Sequence, residues 1–184
     1  MVDRDDPRAH ASFQGAVSSP PVDDLHLSLP DEAATRRLGD ALAGALRAGD
    51  LVILEGDLGA GKTCLVRAVA RALGVPEDVP VTSPTFGLVH EVPSAPPILH
   101  ADLFRLEDPA ELVEIGLLHR IGGEAIVVVE WGERFADALG SVDIVVVMAF
   151  EADTARRATF GARTTRGREI VREVGARLAA FGPL

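Results

Sequence analysis

An α/β fold with a mixed, mostly parallel sheet flanked by helices is what the sequence predicts. Three observations predict it. Apolar runs of strand length recur at 51–54, 98–101 and 125–129. Segments with apolar residues at helical spacing lie between them. Hairpin-like pairs near 87–101 and 142–162 add antiparallel strands to a parallel core.

Residues 1–24 are rich in Asp, Pro, Ser and Ala, have no periodicity, and are expected to form a disordered tail. Leu25, Leu27 and Leu29 alternate with polar residues as in an edge strand. Pro30-Asp31-Glu32 opens a helix, with acids in the first turn complementing the helix dipole. Its apolar face is Ala34, Leu38, Ala41, Leu42, Ala45 and Leu46, and Gly49-Asp50 ends it. The buried run 51–54 follows, then a Gly-rich loop and a helix from Lys62 to Leu73. Pro84 pins a loop at 82–86. Strands are expected at 87–92 and 98–101, a helix from Asp108-Pro109 to Ile115, and strands at 125–129, 142–150 and 155–162. A last helix, 168–181, places Ile170, Val174, Leu178 and Phe181 on one face.

The chain has 184 residues, enough for one self-sufficient core. Its net charge of −10 makes it a poor candidate for wrapping nucleic acid or lying on an anionic membrane unaided. No apolar run approaches a membrane span, and the first 25 residues lack a signal-peptide core. One cysteine, Cys64, permits no internal disulfide, so a cytoplasmic protein is expected. Of the 18 basic residues only one, Lys62, is lysine.

That lysine sits in GDLGAGKT at 56–63, which matches G-x-x-x-x-G-K-[ST] in full. The motif follows an apolar strand and opens a helix, as its mechanism requires. Gly56, Gly59 and Gly61 let the backbone wrap phosphate oxygens, and the N–H groups of Asp57, Leu58, Ala60 and the helix start supply positive potential. Lys62 is expected to reach the β- and γ-phosphates and Thr63 to offer its hydroxyl to Mg²⁺. Cys64 reads as a small filler near the nucleotide rather than a redox centre. Residues 25–184 are thus read as a single P-loop NTPase domain.

A guanine-reading N-K-x-D loop would need a second lysine, and there is none, so ATP/ADP is favoured. Mg²⁺ in such sites needs an acid at the end of a neighbouring strand. Two strands end in acids, at Asp102 and Glu130; Glu130 is expected to serve hydrolysis and Asp102 the Mg²⁺ dependence, with the exchange of these roles and the question of which lies closer to the metal left open. Trp131, the only tryptophan, is compatible with packing and with function alike. His100 reads as structural rather than as a site residue.

GDLGAGKT at 56–63, SPTF at 83–86, HADLFRL at 100–106 and EWGER at 130–134 occur in the order and at the spacing of the TsaE family, and LPDEAATRRLG at 29–39 is similar to that family's first helix. The resemblance spans about residues 25–162. It departs from the family where tyrosines are common, with Val92 and Phe104 in their place, and where Cys64 replaces a frequent threonine. It implies a P-loop ATPase, weak alone, that supports a TsaD–TsaB complex in transferring threonylcarbamoyl to adenosine 37 of tRNA. Contact with tRNA would come only through that complex. By the same resemblance Lys62 and Thr63 bind phosphate and Mg²⁺, and Asp102 and Glu130 are the essential acids. Thr85 lies in a switch-like loop, Trp131 borders the site, Glu32 and Thr35 border the adenine, and Arg157 is a further nucleotide candidate.

A small-molecule or nucleoside kinase is the alternative, with Arg163, Arg166 and Arg168 as its lid. Residues 154–184 carry seven Arg against two Glu, which suits either contact with tRNA or an acidic partner, or a solvated helix face.

Overall fold

The computed structural model describes residues 25–84 and 87–181. The expected tail, 1–24, lies outside them, as does Thr85. Seven strands form one sheet: β1 (Leu25–Leu29), β2 (Leu51–Glu55), β3 (Val89–Val92), β4 (Ile98–Asp102), β5 (Ile126–Glu130), β6 (Ile144–Phe150) and β7 (Arg156–Ala162). Their order is β1-β7-β6-β2-β5-β4-β3. The four central strands, β6, β2, β5 and β4, are parallel. β3 closes one margin and β7 with β1 the other, all antiparallel. This is the expected mixed sheet, with its parallel part in the middle.

Three long helices, α1 (Glu32–Ala45), α2 (Lys62–Ala72) and α5 (Thr165–Phe181), cover one face around Leu38, Leu42, Leu65, Val69, Ile170 and Val174. The other face is covered by the segments 103–125 and 131–142, with short helices α3 (Glu111–Glu114) and α4 (Ala136–Leu139) and 3₁₀ turns at Leu118–Arg120 and Glu133–Phe135. β2 and β5 are therefore buried on both faces, which is why 51–54 and 126–129 are continuous Val, Ile and Leu runs. Truncating a fully buried residue such as Leu38 to Ala should cost about 2–5 kcal/mol.

Two elements differ from the sequence expectation. The helix expected over 108–115 is only the single turn α3. The Asp108 carboxylate accepts from Ala110 N, and the Glu111 carboxylate accepts from both Glu107 N and Asp108 N. The acids thus hold a turn instead of extending a helix, and Gly116 at φ 69° ends it. The last helix begins at Thr165, before the expected 168, because the Thr164 hydroxyl accepts from Gly167 N in the manner of an N-cap.

The parallel core brings the C-terminal ends of β2, β5, β4 and β6 to one edge, where open α/β sheets bind ligands. Among the described residues no helix is long and apolar enough to cross a membrane.

Candidate functional site

The loop between β2 and α2 is shaped by its glycines. Gly56 has φ 131°, and a Cβ there would stand 2.0 Å from the Met148 carbonyl oxygen of β6. Only glycine allows the loop to leave the sheet at that point. Gly61, at φ 103°, precedes α2 and contributes no side-chain cap, so the first amides of the helix remain available.

Lys62 is buried, with 4% of its surface exposed. Its Nζ donates to the Gly56 and Asp57 carbonyls at 2.6 and 3.1 Å and lies 3.9 Å from the centroid of the Trp131 ring. Burial holds its ammonium below the ordinary lysine range, against the pull of Glu130, Glu55, Asp102 and Asp57. The lone lysine is thus a desolvated cation anchored to the loop.

Glu130 ends β5, opposite Leu54 on one side and Asp102 on the other. The Thr63 hydroxyl donates to Glu130 Oε1 at 2.7 Å, and His100 Nε2 lies 2.9 Å from the same oxygen. Asp102 accepts from the Ser83 hydroxyl and, at 3.1 Å, from Phe104 N. The two acids therefore stand side by side in different company. Glu130 is tied to the start of α2 through Thr63, and Asp102 to the turn that follows β4 through Phe104 and to Ser83. Thr85 itself is outside the described residues.

The segment after Glu130 is clamped from several directions. Trp131 has φ 62°, a conformation a bulky residue rarely adopts, and its N–H donates to Leu54 O. Its ring contacts Phe104 at 5.1 Å. A Cβ on Gly132 would stand 2.9 Å from Val129 Cγ1, so the chain turns there against the core. Glu133 N donates to Glu55 Oε1 at 2.7 Å. Arg134 donates to the Leu103 and Phe104 carbonyls, tying this turn to the end of β4. Burial pushes the Glu55 carboxyl above its ordinary range.

A groove of about 260 Å³ runs between α1 and α2 beside the loop, lined by Glu32, Arg36, Cys64, Arg67 and Glu77 among others. Glu32 is paired with Arg36 at 2.8 Å. Burial raises the Cys64 thiol above its ordinary pKa, which keeps it a thiol and suits a filler. Of the other expected adenine neighbours, Thr35 is buried within α1 with its hydroxyl on the Asp31 carbonyl, outside the groove lining. Arg157 is ion-paired with Glu151 at 2.7 Å on the exposed face of β7. Its neighbour Arg156 is stacked 4.3 Å over Phe150, whose ring edge lies 3.7 Å from the Cβ position of Gly59.

Sequence reasoning missed Glu55, Ser83, Phe150 and Arg156. Glu55 carried a usable signal, since it ends an apolar strand just as Asp102 and Glu130 do. Phe150 and Arg156 carried none, because only the strand register brings them to the loop.

The Arg residues read as a possible kinase lid are engaged elsewhere. Arg166 pairs with Asp50, at the end of β2 opposite the phosphate loop, and donates to the Ala45 carbonyl. Arg163 pairs with Glu133, and Arg168 donates to Thr165.

The family model described as threonylcarbamoyl adenosine biosynthesis protein TsaE matches residues 29–159. The tRNA threonylcarbamoyladenosine biosynthesis protein TsaE of Treponema pallidum is 35% identical over 125 residues, covering 68% of this chain and 91% of that protein. Its namesake in Haemophilus influenzae is 35% identical over 156 residues, 82% and 97% of the two chains. The crystal structure of YdiB from Bacillus subtilis superposes with a TM-score of 0.73 at 26% identity, covering 86% of this chain and 98% of that one. The family match covers strands β2 to β6, the phosphate loop and both strand-end acids, and the chain belongs to the TsaE family of threonylcarbamoyladenosine biosynthesis proteins.

Proposed function

We propose that the chain binds ATP with Mg²⁺ at the 56–63 loop and hydrolyses it, and that this turnover supports threonylcarbamoyl transfer to tRNA adenosine 37 by a TsaD–TsaB complex in the cytoplasm. The observation that carries the reading is the 2.7 Å hydrogen bond from Thr63 to Glu130. By donating its only proton to the carboxylate, the Thr63 hydroxyl keeps its lone pairs for a cation. Among the described residues no cluster of three or more His, Cys, Asp or Glu forms a cage. The donor set suits Mg²⁺, which takes one or two protein oxygens together with phosphates and water.

Lys62 and the loop amides bind the phosphates, and ADP remains in the same cradle as product. Mg²⁺ held beside Thr63 would neutralise charge on the phosphoryl oxygens. Glu130 orders Thr63 and is the acid of the metal side. Asp102, in contact with Ser83 beside the Thr85 segment, is the acid that orients the attacking water. The sequence left these two roles interchangeable, and the Thr63 contact supports this assignment. Trp131 keeps Lys62 in the loop. The alternative of a kinase loses its lid arginines to Asp50, Glu133 and Thr165.

Two measurements test the reading. Asp102→Asn should keep Mg·ATP affinity and lose hydrolysis by on the order of 10²–10⁴-fold, while Glu130→Gln should weaken the Mg²⁺ dependence of binding as well. Steady-state hydrolysis should be slow for the isolated chain and rise on adding TsaD–TsaB. Fast turnover indifferent to the complex would contradict the accessory role.

A further inference from the structure

His100 is fully buried on β4, opposite Val128 of β5, on the sheet face that carries Ile98, Asp102 and Glu130. Its Nε2 lies 2.9 Å from Glu130 Oε1, a hydrogen bond in the ring tautomer that carries its proton on Nε2, since a carboxylate accepts. The other ring nitrogen, Nδ1, is buried with no hydrogen-bond partner among the described residues. Buried polar groups are normally hydrogen-bonded, so a buried ring with one nitrogen unpaired calls for an explanation. Here the single polar contact of a fully desolvated imidazole is spent on one oxygen, and the same oxygen receives the Thr63 hydroxyl.

Glu130 has one more side-chain torsion than aspartate, and a lone bond from Thr63 would let its carboxylate pivot. Two donors from different elements, α2 and β4, converge on Oε1 and remove that freedom. We propose that His100 is a positioning residue, holding Glu130 in the rotamer that orders the Thr63 hydroxyl for the nucleotide-bound cation. This rests on the Mg²⁺ reading of the same site. Outer partners of metal-site groups typically contribute 10–100-fold in metal affinity.

ADP affinity, measured by calorimetry in excess Mg²⁺ and in EDTA, tests the role. His100→Leu should lose about tenfold of the Mg²⁺-dependent gain in affinity, with affinity in EDTA within about twofold of wild type. His100→Gln, whose amide reaches the place of Nε2, should recover most of the gain, and His100→Asn, whose amide stops near Nδ1, should not. In a Glu130→Gln background, His100→Leu should cause no further loss. Should the Leu variant fail to fold, the Gln and Asn pair decides. Equal losses in Mg²⁺ and EDTA, an intact Mg²⁺ gain in His100→Leu or His100→Asn, or an undiminished loss in the Glu130→Gln background would overturn the role. A wild-type chain whose ADP affinity ignores Mg²⁺ would instead overturn the metal reading itself.

Discussion

Glu55 pays a desolvation cost for a mechanical task. Its carboxylate sits half-buried under the turn that carries Trp131 and accepts the Glu133 N–H. Burial raises its pKa in the folded chain, so between the unfolded carboxylate value of about 4.3 and that raised value the folded state holds more protons than the unfolded one. Stability from this site therefore falls as pH rises through that window and stays lowered above it. Glutamine keeps the accepting oxygen without the charge. Glu55→Gln should raise the thermal midpoint at pH 7, and the gain should vanish below about pH 4. A gain of equal size at both pH values would mean that charge burial is not the cause. At this scale Lys62, Thr63, Asp102 and Glu130 were legible in the sequence, because strand ends and the loop motif point to them. Ser83 and Phe150 were not, because they enter the site through contacts that cross between elements.

Among the elements, α1 and α2 meet where Gly39 faces Ala68. A Cβ on Gly39 would come within 2.4 Å of the Ala68 Cβ and 2.7 Å of its backbone. Gly39→Ala should destabilise the chain by about 1–3 kcal/mol in urea unfolding, because the helices must move apart. Gly175, in α5, meets nothing within 4 Å at its Cβ position among the described residues, and Gly175→Ala should stabilise by about 0.5–1 kcal/mol. The opposite signs test close approach against helix propensity. Strands and long helices were readable because burial on both faces makes apolar runs and amphipathic helices show a period. The turn at α3 was not, because its acids bond to their own backbone where a helix-capping pattern was expected. Nor did the sequence say which face α1, α2 and α5 would share.

Over the whole molecule, the −10 net charge and the Arg-rich end were visible from composition, but the use of those arginines was not. Arg166 and Arg163 are tied to Asp50 and Glu133. The isolated chain should therefore fail to retain tRNA at about 0.15 M salt in a filter-binding assay, with retention appearing only with TsaD–TsaB. Micromolar binding by the chain alone would give the basic end a direct role.

The pairing of β1 with β7 carries a temporal consequence. The His26–Thr159 contact joins residues 133 positions apart, so the strand synthesised first waits for the strand synthesised nearly last. On the ribosome the phosphate loop and both acids emerge before β6, and β6 then has an open edge until β7 follows. Such distant pairings form late. A nascent chain halted before β7 thus holds every acid and the lysine of the site, yet its sheet ends in an unpaired rim open to other chains.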